Sequence, residues 1–179
     1  LCQMLSTSAH SVLTATTWRK SMAVANVVFF IIYGGLLLTL SWHDLRYGLL
    51  PDKFTCPLLW SGLLYYVSMS PVNLPHAVWG AIAGYLAFAL IYWFYRGVRG
   101  SEGIGYGDVK LLAALGAWHG WRALPQLVLI ATILACAAVA VVILRTRERE
   151  ALHNPLPFGP FLAVAGLSSE GMTFLSPPL

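Results

Sequence analysis

Charge is the scarcest property of this sequence. Asp, Glu, Lys and Arg together make up 10% of its 179 residues, against roughly a quarter in a soluble domain. Residues 54–95 contain none of the four. A hydrated surface cannot be built from such a stretch, so a soluble domain of this length is excluded. Cysteine is scarce as well. Cys2, Cys56 and Cys136 lie far apart and form no C-x-x-C pair, which excludes a zinc ribbon and a dithiol redox centre. They suit small apolar positions within or beside helices. No glycine–lysine–serine/threonine string follows a glycine-rich stretch, so a soluble phosphate-binding loop is disfavoured. No internal repeat stands out. The net charge of +4 reads as orientation charge in a membrane protein rather than as a nucleic-acid surface.

What is present is apolar: 58% of the chain, in blocks of the roughly 20 residues needed to cross a bilayer. The first block covers about 21–42, after Arg19-Lys20. It is too long, and too free of a small-residue cleavage site, for a removable signal peptide. The uncharged stretch 54–95 is too long for one crossing, and Ser70-Pro71-Val72-Asn73-Leu74-Pro75 breaks it into two. A shorter fourth segment follows Asp108 to about residue 121, the fifth covers 124–144, and the sixth about 155–175. The expected fold is all-α: a polytopic membrane helix bundle of about six transmembrane helices. Residues 1–20 read as an N-terminal segment and 21–176 as a single transmembrane domain.

Basic residues set the orientation. One set of alternate loops holds Arg46 and Lys53, then Arg96, Arg99 and Lys110, then Arg145, Arg147 and Arg149. The other holds Arg19, Lys20 and Arg122. The first set is the richer, which puts it on the cytoplasmic side and the N-terminus outside. Residues 97–103 read as a flexible, glycine-rich cytoplasmic loop, and Arg145 to Glu150 as a solvated helix end and loop. Trp42, Trp60, Trp79, Trp93, Trp118 and Trp121 fall mostly near segment ends, as aromatic belts do.

Two aspartates adjoin these segments. A carboxylate beside a membrane span is expensive to keep and is a functional-site candidate by default. Asp108 ends Gly105-Tyr106-Gly107-Asp108, where two glycines permit close backbone approach. It falls at a helix start, where exposed N–H groups favour a carboxylate, so an N-terminal cap is the plain structural alternative. Asp44 lies in His43-Asp44-Leu45-Arg46, ahead of Leu49-Leu50-Pro51-Asp52. Asp52 has its own structural explanation as a helix cap after Pro51. Asp44 has a weaker one, as a partner of Arg46. His43 and His119 lack clustered partners, so metal ligation is not expected.

Asp44-x-Arg46 with Leu49-Leu50-Pro51-Asp52 and the long string from Gly105 to Trp118 resemble the type IV prepilin peptidases. These are bacterial inner-membrane aspartic proteases of the G-x-G-D class. Pro157-Phe158-Gly159-Pro160-Phe161 resembles a third, late motif of that family, and the likeness covers about 21–166. The resemblance implies that Asp44 and Asp108 are catalytic, with Asp52 left out. It implies removal of a short basic leader from prepilins or pseudopilins, after a glycine, at the cytoplasmic face of the membrane. No cofactor is called for.

The chain departs from the family in lacking an N-terminal segment with two C-x-x-C pairs, which longer members link to zinc binding and N-methylation. It therefore resembles a short form, in which the peptidase core is carried over and the methyltransferase is not. Gly105 and Gly107 would support the site. Lys110 would act on the pair or orient substrate, or else be an interfacial lysine. Glu102 would attract a basic leader, or else be a solvated loop charge. Two neighbouring carboxyls share a proton and titrate as a pair, one serving as base and the other as acid. The rival readings are a small transporter or proton-relay protein, since membrane aspartates also relay protons, and an inactive structural subunit of a pilus or secretion assembly.

Overall fold

The computed structural model describes residues 2–99, 105–146 and 157–175. Six α-helices and one short 3₁₀ turn account for nearly all of them: α1 Cys2–Tyr47, α2 Asp52–Met69, α3 Leu74–Arg99, α4 Tyr106–His119, α5 Leu124–Thr146 and α6 Gly159–Leu175. The 3₁₀ turn Pro71–Asn73 falls where the Ser70–Pro75 string broke the uncharged stretch. The all-α bundle therefore stands. Among the described residues three segments are long and apolar enough to cross a membrane: Arg19–Tyr47, Pro71–Val98 and Leu124–Leu144.

Helix ends follow the turn residues. Gly48 adopts φ 61° beyond Tyr47 and its N–H donates to the Asp44 carbonyl at 2.8 Å, closing α1. Gly120, with φ 74°, closes α4 in the same way on Gly116. α1 is one continuous helix through the expected boundary at residue 20. α3 continues to Arg99, so Gly97 is helical rather than part of a loop.

α4 differs from what its composition implies. At 14 residues it is about 21 Å long, shorter than the roughly 30 Å hydrocarbon layer. Every residue from Asp108 to Trp118 except Lys110 is buried. It is apolar all round because the other helices enclose it, not because lipid does. Gly80 of α3 lies directly against the Gly116 carbonyl, and a methyl group added at Gly84 would come within 2.6 Å of the Leu112 carbonyl oxygen. Between two apolar helices in lipid, close packing of this kind replaces the hydrophobic drive that works in water.

Contacts give the helix directions. Gly80 meets Gly116 and Tyr92 meets Tyr106, so α3 and α4 run antiparallel. Asp52 meets Lys110 and Leu58 meets Trp118, so α2 and α4 run parallel. Tyr33 lies by Gly166 and Asp44 by Gly159, so α1 and α6 are antiparallel. One end of the bundle thereby gathers Asp44, Leu50, Asp52, Asp108, Lys110 and Gly159. The opposite end holds Tyr33, Trp118, His119 and Ser169.

Candidate active site

Asp44 sits one turn before the end of α1, and its carboxyl turns inward. It is 4% exposed and accepts the Gly159 N–H at 3.0 Å on Oδ2. That N–H belongs to the first turn of α6, where backbone donors lack helical partners. The Pro157-Phe158-Gly159 string thus supplies a hydrogen bond to a carboxylate 115 residues earlier in the chain. Gly159 is required at that point by space: a methyl group on it would lie 2.5 Å from Asp44 Oδ2.

Asp108 lies in the first turn of α4 and is 5% exposed. It is not the cap that its position first implied. Gly105 occupies the capping position, and its carbonyl accepts the Asp108 N–H at 3.0 Å. Asp108 Oδ1 is buried with no hydrogen-bond partner among the described residues. Buried oxygens are seldom left so, because an unmade hydrogen bond costs about 1–3 kcal/mol. The two carboxyls are near enough for the charge on Asp44 to act on Asp108.

Leu50 ties these parts together. A methyl group added at Gly107 would lie 2.8 Å from Leu50 Cβ, and one added at Gly159 would lie 3.3 Å from Leu50 Cδ1. The half-buried leucine therefore rests between the glycine before Asp108 and the glycine that holds Asp44. Gly105 stands by the Asp108 carboxyl, where a methyl group would lie 3.5 Å from Oδ2.

Asp52 is apart from this pair. It is not the cap of α2, since Pro51 holds that position without a side-chain bond. Asp52 instead accepts both contacts of the Lys110 ammonium, at 2.6 and 2.7 Å, on the exposed rim. Lys110 also stands 5.2 Å from the centre of the Tyr106 ring. Tyr106 continues a polar aromatic cluster: its hydroxyl lies 2.6 Å from that of Tyr85, and Arg96 donates to the Tyr92 hydroxyl at 2.8 Å. Glu102 and the charges from Arg147 to Glu150 lie outside the described residues.

His43 packs its ring beside Tyr47 and Phe54, 5.4 and 5.5 Å between centres, and His119 serves elsewhere. His119 Nε2 is 2.9 Å from the Tyr33 hydroxyl and Nδ1 is 3.0 Å from Ser169 Oγ, at the end opposite the aspartates. Among the described residues no three metal-ligating side chains converge. Trp118 is not part of a belt: it is 2% exposed, donates to the Leu58 carbonyl at 2.8 Å and stacks on Tyr65.

The sequence reading missed the bond from Gly159 and the place of Leu50. Both belong to strings it had singled out, yet nothing in either string names its partner.

Comparison with known proteins gives a consistent picture. The model of the type IV leader peptidase family matches residues 31–141, which include both aspartates. The leader peptidase HopD of Salmonella typhimurium is 61% identical over 146 residues, 82% of this chain and 94% of that protein. The leader peptidase HopD of Escherichia coli is 58% identical over 142 residues, 79% of this chain and 91% of that one. The prepilin leader peptidase/N-methyltransferase of Burkholderia pseudomallei is 53% identical over 133 residues, 74% of this chain but 42% of its own length. No solved structure matches the chain.

Proposed function

Because this chain belongs to the type IV leader peptidase family and is a membrane aspartic peptidase, we propose that Asp44 and Asp108 cut the short basic leader from prepilins or pseudopilins at the cytoplasmic face of the inner membrane. The observation that carries the assignment is the pair of buried carboxyls on two helices, gathered at one end of the bundle. Two such groups hold a proton between them more readily than they both ionise. The ionised member takes a proton from water as the water oxygen attacks the scissile carbonyl carbon. The protonated member gives its proton to the carbonyl oxygen, forming a tetrahedral intermediate. Collapse of that intermediate breaks the C–N bond, and a proton passes to the departing amine. No acyl-enzyme forms.

Each supporting group has a place in this scheme. The Gly159 N–H holds Asp44 in one orientation, which favours a fixed geometry for attack. Asp108 Oδ1, unpaired among the described residues, leaves an acceptor for water or substrate. Lys110, bound to Asp52 on the rim, supports the entrance rather than the proton transfers.

A proton relay would place its carboxyls near the middle of the bilayer, whereas Asp44 and Asp108 stand in the last and first turns of their helices. The test is co-expression with a prepilin, read as the mobility shift on leader removal. Asp44→Asn and Asp108→Asn are each expected to abolish the shift while still inserting in the membrane. Normal processing by either variant would overturn the assignment.

A further inference from the structure

We propose that Leu50 determines specificity at the scissile bond: its side chain fills the space beside the two carboxyls, so that the substrate residue placed there must be glycine. The proposal rests on the peptidase reading above and adds to it the part that selects the substrate.

The geometry starts with a stiff connection. Only residues 48–51 separate α1 from α2. Gly48 turns the chain at φ 61°, and Pro51, at φ −72° and ψ 135°, restricts the backbone of Leu50 before it. Leu50 is thereby aimed into the site rather than left free on a loop. Its side chain lies against Gly107, which precedes Asp108, and against Gly159, which binds Asp44. Both neighbours lack side chains, and a methyl group on Gly107 would lie only 2.8 Å from Leu50 Cβ. The leucine side chain therefore stands between the two carboxyl-bearing segments, in contact with Gly107 of one and with Gly159, which binds the other.

A leucine moves no protons, so its effect there is on volume and water. A peptide carbon that approaches both carboxyls has to pass this side chain. Backbone atoms fit with small adjustments, but a Cβ on the residue adjoining the bond competes with the leucine for the same space. Exclusion by overlap discriminates against the wrong substrate without adding a contact to the right one.

The test uses the full chain in detergent and two synthetic peptides with the same basic leader and the same apolar segment after the cleavage point. One carries glycine and the other alanine on the leader side of the scissile bond. Wild type is expected to prefer the glycine peptide in kcat/KM, and Leu50→Ala to shrink that preference by roughly tenfold or more, the scale of a methylene-sized change in a pocket. Leu50→Met, close to leucine in volume, is expected to keep the wild-type ratio. A merely structural role would lower both rates and leave the ratio unmoved, and an unmoved ratio in Leu50→Ala overturns the proposal. If Leu50→Ala does not fold, the same ratio is read in Leu50→Val, where an intermediate value is expected and an unchanged one overturns it. Wild type cleaving both peptides equally also overturns it. Wild type cleaving neither overturns the peptidase reading itself.

Discussion

Asp44 is oriented by the Gly159 N–H, so that neighbour is as sensitive as the carboxylate itself. A methyl group at Gly159 would sit 2.5 Å from Asp44 Oδ2 and 3.3 Å from Leu50 Cδ1. Gly159→Ala is therefore expected to lower leader cleavage on the order of 100-fold, the loss that follows a displacement of about 1 Å at a reacting group. Some loss of thermal stability in detergent is expected from the overlap, and assaying below the variant's melting temperature separates misplacement from unfolding. The rim behaves differently. Asp52 and Lys110 have 60% and 32% of their side chains exposed, and an exposed ion pair contributes about 0–1 kcal/mol. Asp52→Asn should retain substantial cleavage and melt near wild type; loss of all cleavage would move Asp52 into the chemistry. The family resemblance carried by the flanking strings is what set Asp44 apart from Asp52, and such strings are local information. The role of Gly159 was not legible there, since its bond reaches across 115 residues and no local pattern encodes so distant a partner.

At the scale of helices, the crossing of α3 and α4 fixes where Asp108 stands. Gly80 and Gly116 meet backbone to backbone, and a methyl group on Gly80 would also come within 2.8 Å of Gly120 Cα. Main chain cannot swing aside as a flexible side chain does. Gly80→Ala and Gly116→Ala are each expected to destabilise the folded bundle by about 1–3 kcal/mol through overpacking, measured by thermal melting in detergent. Gly34→Ala meets nothing within 4 Å and should leave the melting temperature nearly unchanged. Equal melting of all three variants would show that the crossing is not close-packed. Part of this was readable: Gly80 and Gly84 stand four apart in an apolar segment, as do Gly116 and Gly120, the spacing that brings helices into close contact. The place of α4 was not. An apolar segment enclosed by protein and one bathed in lipid have the same composition, and only its shortness hinted at the difference.

For the whole molecule, the direction of the bundle follows from where its charge lies. Arg46, Lys53, Arg96 and Lys110 belong to the end that holds the two carboxyls, whereas Arg122 lies at the opposite end beside Trp121. Basic residues remain on the cytoplasmic side during insertion, so this distribution favours a site open to the cytoplasm. The helix directions add an independent constraint, because α1 and α6 run antiparallel and bring the last turn of one to the first turn of the other. A carboxyl pair built in that way lies at a boundary whichever way the bundle is inserted, so charge alone selects the side. Labelling with a membrane-impermeant maleimide tests the selection. All three cysteines are first replaced by alanine, because Cys56 and Cys136 are exposed and would react as well. In that background Lys53→Cys is expected to react only after the cells are permeabilised, and Arg122→Cys in intact spheroplasts. The reverse pattern would place the carboxyls on the outer face, where a leader that has not yet crossed the membrane never arrives.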